Sequence, residues 1–174
     1  MDDATRAELT AGIRTIPDYP IPGILYRDIT PLLADAGLFH KAVKAMAAPF
    51  LDVSQVVVIE SRGFALGAPV AYELGLGLTL VRKAGRLPHE TISESYALEY
   101  GSNTMEIHSD AIKPGERVLI VDDVLATGGT VKAAIKLVER LGGVVAGVSL
   151  LIELAFLNGR AALPGYDVRS LIVY

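Results

Sequence analysis

The chain has 174 residues, 51% hydrophobic and 21% charged, with 16 basic and 20 acidic side chains and no cysteine. A single domain of this length buries about 70% of its unfolded surface without staples, and the missing thiols exclude thiolate nucleophiles, cysteine zinc sites, iron–sulfur clusters and CxxC redox chemistry. A net charge of -4 offers no diffuse positive field for nucleic acid, so any anion must be held by a local group of residues.

Met1 to Thr10 has no cationic stretch followed by an apolar one, so no export signal is expected. Val144 to Leu157, the most apolar run, is interrupted by Gly147, Ser149 and Glu153 and falls short of the roughly 20 residues of a membrane helix. Together with the cysteine-free composition, this predicts a cytoplasmic chain with no membrane partner. No repeat or linker divides it, so residues 1–174 are read as one domain.

The pattern predicts a helix over Ala4 to Ile16, a breaker run at Pro17, Pro20, Pro22 and Gly23, and a helix over Leu38 to Leu51. Gln55 to Ile59 is a continuous β-branched run, as expected of a strand covered on both faces; a helix over Phe64 to Leu74 and a strand over Leu78 to Val81 follow. Thr91 to Tyr100 and Thr104 to His108, joined by Gly101-Ser102-Asn103, are expected to form a hairpin or arm. Then come a strand over Arg117 to Val121, a helix over Thr130 to Leu141, and strands over Val144 to Leu151 and Val168 to Val173. Buried strands alternating with helices predict an α/β, doubly wound, mainly parallel central sheet flanked by helices. Ligands of such sheets sit at the carboxyl ends of the strands.

Three of those ends carry charge: Glu60-Ser61-Arg62-Gly63, Arg82 to Arg86, and Asp122 to Thr130. In the last, the small and hydroxyl residues Ala126, Thr127, Gly128, Gly129 and Thr130 let backbone N–H groups and a helix N-terminus converge on a phosphate. No GK[ST] closes the loop, so it is not a Walker A motif, and Gly75-Leu76-Gly77 precedes a strand, so it is not a dinucleotide fingerprint. Asp122 and Asp123 are costly neighbours unless they meet hydroxyl donors or a cation, which a ribose supplies. A Gly-Gly after a strand is often only a turn, but that reading leaves the unbroken order of apolar residues, acids and hydroxyls unexplained. His40, His89 and His108 have no ligand spacing and are expected at surface or loop positions.

Val118 to Thr130, VLIVDDVLATGGT, resembles the phosphoribosyl-diphosphate (PRPP) motif of type I phosphoribosyltransferases. Asp18 to Pro31 (DYPIPGILYRDITP), Glu60 to Phe64 (ESRGF), Arg82-Lys83 with Leu87-Pro88, and Ser95 to Gly101 (SYALEYG) resemble, in order, segments of the adenine-specific branch of that family. The resemblance implies the type I fold with an N-terminal hood at about residues 17–31 and a flexible flap or arm at about residues 82–100. It implies transfer from PRPP to N9 of adenine, giving AMP and pyrophosphate, with Mg²⁺ as cofactor and a homodimer as the assembly.

On this resemblance, PRPP is held by Asp122, Asp123, Ala126, Thr127, Gly128, Gly129, Thr130, Ser61, Arg62, Lys83, Arg86 and Tyr100. Glu99, Arg62 and Arg86 are the expected catalytic residues. Glu99 would exchange a proton with N7 of the base, which calls for a raised pKa. Ile24, Leu25, Tyr26, Arg27, Phe64 and Glu99 are expected around adenine, with a core role for Phe64 equally open. Mg²⁺ is expected to be carried mainly by PRPP, with Asp122 or Asp123 reaching it through water. The PRPP motif reads only the sugar phosphate, so transfer to hypoxanthine, guanine or xanthine stays open, as does a non-catalytic PRPP or purine sensor.

Overall fold

In the computed structural model, which describes residues 1–97 and 102–174, the apolar runs become the strands of one sheet. They are β3 (Gln55–Ile59), β4 (Gly77–Lys83), β5 (Thr91–Ala97), β6 (Ser102–His108), β7 (Arg117–Leu125), β8 (Val144–Glu153) and β9 (Val168–Val173), preceded by a separate ribbon of β1 (Arg14–Pro17) and β2 (Leu25–Asp28). The sheet order is β5-β6-β4-β3-β7-β8-β9, parallel from β4 to β9 and antiparallel in the β4-β6-β5 arm. The helices are α1 (Asp3–Ala11), α2 (Thr30–Ala34), α3 (Ala36–Ala47), α4 (Arg62–Leu74) and α5 (Gly129–Arg140).

Strand alternation divides the interior into two cores. Val56 and Val58 of β3 and Leu119 and Val121 of β7 join Leu66 and Val70 of α4 and Met46 of α3 on one face. Val57, Ile59 and Ile120 join Val131, Ile135 and Val138 of α5 on the other. Each such side chain, fully withdrawn from water, contributes about 1.5–3 kcal/mol. Close approach of α4 to β3 depends on Gly67, where a Cβ would lie 1.8 Å from Val58 Cγ1.

Several predicted boundaries move. The first helix stops at Ala11 and not Ile16, because Arg14–Pro17 pairs antiparallel with Leu25–Asp28 and Arg14 Nε donates to Asp28 Oδ2 at 3.1 Å. Pairing across the sequence outweighs the helical spacing of Ile13 and Ile16. α3 begins at the cap Asp35, whose carboxylate accepts from the Leu38 amide at 2.9 Å, and ends short of Leu51, which is 81% exposed. Ser102 and Asn103 belong to β6 and not to a turn, while Gly101 lies outside the described residues. His108 also departs from the expectation: it ends β6, with Nε2 buried and its ring 6.1 Å from that of His89.

The largest consequence for function is in β7. It runs to Leu125, in register with Glu153 of β8, so Asp122 and Asp123 are strand residues and not part of the following turn. Because β3, β4 and β7 are parallel, their charged carboxyl ends still open on one edge of the sheet.

Candidate active site

At that edge lies a cleft of about 290 Å³, lined by Glu60, Ser61 and Arg62 after β3 and by the run from Asp122 to Val131. The loop from Ala126 to Thr130 forms its floor. Gly128 sits at φ +85°, a conformation glycine adopts without strain, and its carbonyl starts α5 by accepting from the Lys132 amide at 2.9 Å. Among the described residues, the N–H groups of Ala126, Thr127 and Gly128 make no hydrogen bond, which leaves a set of free donors just before the helix N-terminus. Such a nest is suited to an anion.

The wall of the cleft is acidic. Asp122 and Asp123 are 7% and 4% exposed, and the Asp123 amide donates to Asp122 Oδ1 at 2.8 Å. Burial first, and then the adjacent Asp123 charge, pushes Asp122 well above the usual carboxylate range. Burial also raises Asp123, against the opposing pull of Arg62. Arg62 Nη2 lies 2.7 Å from Asp123 Oδ2, an ion pair without the alignment of a hydrogen bond, so that oxygen remains short of a donor. Gly63 lets the start of α4 lie close against β7, since a Cβ there would stand 2.7 Å from Asp122 Oδ1.

Arg62 also joins the cleft to the N-terminal ribbon. Its Nη1 donates to the Tyr26 hydroxyl and its guanidinium lies 5.1 Å from the Tyr26 ring, which in turn packs edge-on against Tyr19. Ile24 and Leu25 are 44% and 56% exposed beside it. The Arg27 side chain is not brought to the cleft: it stacks 3.7 Å over the Tyr174 ring and donates to Thr15 Oγ1, because alternation along β2 sends it opposite to Tyr26. Phe64 takes the core role, packing on the core while half-buried, with the Arg82 guanidinium 6.0 Å from its ring, and it does not line the cleft.

Lys83 and Arg86 are exposed at the same sheet edge and do not line the cleft. Their neighbour Arg82 is committed elsewhere: its Nε donates to Glu60 Oε2 at 3.0 Å, which also accepts the Lys83 amide at 3.0 Å. Burial opposes ionisation of Glu60, but Arg82, the Lys83 amide and the charge of Arg86 outweigh it and hold its pKa low. Glu99 and Tyr100 lie outside the described residues. Among those described, no three His, Asp or Glu side chains form a metal cage, and no helix is long and apolar enough to cross a membrane.

Sequence reasoning missed the Glu60 clamp, the Tyr26–Arg62 link and Gly159, whose backbone lies under the loop. A charged residue directly ending an apolar strand is the one signal available for Glu60. Gly159 has none, because its role is a contact between segments distant in sequence.

A family model described as the phosphoribosyl transferase domain matches residues 34–161. The adenine phosphoribosyltransferase of Carboxydothermus hydrogenoformans is 56% identical over 169 residues, covering 96% of this chain and 99% of that protein. The crystal structure of the adenine phosphoribosyltransferase from Thermoanaerobacter pseudethanolicus superimposes with a TM-score of 0.93 at 50% identity, covering 97% of this chain and 99% of the other. That of Saccharomyces cerevisiae, complexed with an imino-altritol bisphosphate and adenine, gives 0.92 at 39% identity over 98% and 99% of the two chains. With a doubly wound sheet, a donor-lined loop and a buried carboxylate pair on the strand that leads into it, the chain belongs to the phosphoribosyltransferase family, in the branch of the adenine phosphoribosyltransferases.

Proposed function

We propose that the protein salvages adenine by transferring the 5-phosphoribosyl group of PRPP to N9 of the base. The C1–O bond to diphosphate breaks, a C1–N9 bond forms, N9 loses its proton, and AMP and pyrophosphate leave. The observation that carries the reading is the cleft in which a loop of free amides meets two buried carboxylates, one of which keeps an oxygen short of a donor. One end suits a phosphate and the other a pair of ribose hydroxyls. The relatives named adenine phosphoribosyltransferase, and the adenine bound by the yeast enzyme, support the choice of base.

In this reading the amides and hydroxyls of Ala126 to Thr130 hold the 5-phosphate, and Asp122 and Asp123 accept from the ribose. Ser61, Arg62, Lys83, Arg86 and Tyr100 take the diphosphate, where guanidinium groups match phosphate geometry and offset the charge of the leaving group. Arg62 and Arg86 are catalytic in that sense. Glu99 exchanges a proton at N7 as N9 gives up its own. Ile24, Leu25, Tyr26 and Phe64 surround the base, with Arg27 contributing through its backbone.

The buried, charge-crowded Asp122–Asp123 pair is a hard oxygen donor set that fits Mg²⁺ shared with substrate phosphates. When bound, Mg²⁺ would neutralise charge on the departing diphosphate. Residues 82–100 serve as the flap over the diphosphate and residues 17–31 as the hood over the base, all within one domain. We take the working form to be a cytoplasmic homodimer, as the family resemblance implies; light scattering that finds a fully active monomer would overturn that part.

The test is pyrophosphate release from PRPP and Mg²⁺ with adenine, hypoxanthine, guanine and orotate assayed in parallel. Adenine alone should support turnover. Turnover with another base would replace the substrate, and PRPP binding without turnover on any base would make the protein a sensor.

A further inference from the structure

The cleft loop rests on another backbone. A Cβ at Gly128 would lie 2.6 Å from the Gly159 carbonyl oxygen, and one at Gly159 would lie 2.2 Å from the Ala126 oxygen and 3.0 Å from Leu125 Cγ. Because neither glycine puts a side chain between the two backbones, displacement of residue 159 passes directly to the loop. Yet Gly159 belongs to a four-residue 3-10 turn, Gly159–Ala162, entered through Asn158 at φ +52°, and so short a turn cannot fix its own position.

It is fixed by Arg160. Nε and Nη2 donate to the two carboxylate oxygens of Glu153 at 2.7 Å each, and Nη1 donates to the Val168 carbonyl at 2.7 Å. Ser170 Oγ donates to Glu153 Oε2 at 2.7 Å. Glu153 is 6% exposed and pairs in the sheet with Leu125, the residue from which the loop departs. The planar fork of arginine thus ties the turn under the loop to the strand beside the loop's origin, a bidentate geometry that lysine cannot reproduce. The low pKa of Glu153, which is held down by Arg160 and Ser170 against the cost of burial, is consistent with a fully ionised pair.

We infer that Arg160, Glu153 and Ser170 are positioning residues that hold the Ala126–Thr130 loop ready for a ligand's 5-phosphate. None of them lines the cleft, so they act on the ligand only through the loop. This assignment rests on the reading of the loop as the 5-phosphate site. Preorganised donors cost no rearrangement when the anion arrives, and loosening them should weaken phosphate binding there and nowhere else.

The experiment compares the parent protein with Arg160→Lys and the milder Ser170→Ala, using calorimetry with ribose 5-phosphate and with inorganic pyrophosphate, and amide exchange of the ligand-free loop. Arg160→Lys should weaken ribose 5-phosphate on the order of 10-fold with pyrophosphate affinity within about 2-fold of the parent, while amides 126–130 exchange faster. Ser170→Ala should shift both readouts the same way by less. Unchanged loop exchange in a folded variant overturns the inference, as does an equal loss for both ligands. If the parent itself binds no ribose 5-phosphate, the site reading fails, and the exchange arm still decides whether the platform holds the loop.

Discussion

Neighbouring strands β7 and β8 carry buried carboxylates near their carboxyl ends, and the fold treats them in opposite ways. Asp122 and Asp123 are crowded together, pushed towards protonation by burial, and supplied with one cation placed off the line of a hydrogen bond. Glu153, one strand away, has a bidentate arginine and a serine hydroxyl and is held ionised. A buried charge left short of partners costs stability, and a fully bonded one fixes geometry. The first pair is arranged for a ligand to complete, whereas the second is complete already and serves as framework.

The strongest challenge comes from a third carboxylate. If Glu99 works as acid and base while the β7 pair only holds ribose, Glu99→Leu should lower kcat by 10²–10⁴-fold and leave PRPP affinity near the parent value. Steady-state kinetics at saturating PRPP, with calorimetry beside them, check this; an unchanged kcat removes the role.

Next in size, Asp123→Asn should weaken PRPP binding about 10- to 100-fold, through lost charge-assisted hydrogen bonds to a hydroxyl, while the melting temperature stays level or rises. Glu153→Leu should do the reverse for stability. It strands Arg160, though that side chain is 48% exposed and water recovers part of the loss. A drop of about 1–2 kcal/mol, or roughly 2–8 °C in Tm, is expected for a chain of this length. Calorimetric melting of the two variants in the same buffer breaks the comparison if their shifts share a sign.

Their pH dependence should diverge as well. Glu153 has its pKa lowered by folding, so its contribution is complete above the ordinary carboxylate range and is lost as pH falls through the folded pKa. Asp122 has its pKa raised, so the stability linked to it is present below the ordinary range and lost as pH rises through the folded value. In ligand-free protein kept in a chelator, Glu153→Gln should flatten the acid limb of a stability–pH curve. Asp122→Asn should flatten the fall on the other side. Urea titrations at stepped pH measure both limbs.

How much of this was legible follows from where the information lies. Gln55 to Ile59 and Val168 to Val173 were read to both ends because short β-branched runs covered on two faces have no helical alternative. The loop from Ala126 to Thr130 was legible because its glycines and hydroxyls are contiguous. β7 was cut short at Val121, since two adjacent acids argue against a strand interior; they stay in the strand because ladder pairing continues to Leu125. Glu153 reads merely as an interruption of an apolar run, and nothing in the sequence singles out Arg160. Their pairing follows from the way the chain after β8 turns back on the strand end through Gly159–Ala162, and no residue pattern announces it.

The smallest effect expected lies where the arm meets the parallel half of the sheet. The Tyr96 hydroxyl of β5 is 2.9 Å from Thr130 Oγ1, and its ring lies against Gly129, where a Cβ would stand 2.8 Å from Tyr96 Cδ2. Tyr96→Phe keeps the ring in place and removes the bond that orients the Thr130 hydroxyl at the cleft floor. One neutral hydrogen bond is worth about 0.5–1.5 kcal/mol, so ribose 5-phosphate should bind roughly 2- to 10-fold more weakly, with Tm nearly unchanged. Calorimetry on the variant reads this directly. An unchanged affinity would mean that the Thr130 hydroxyl needs no help from the arm and that the loop's order comes entirely from the backbone platform beneath it.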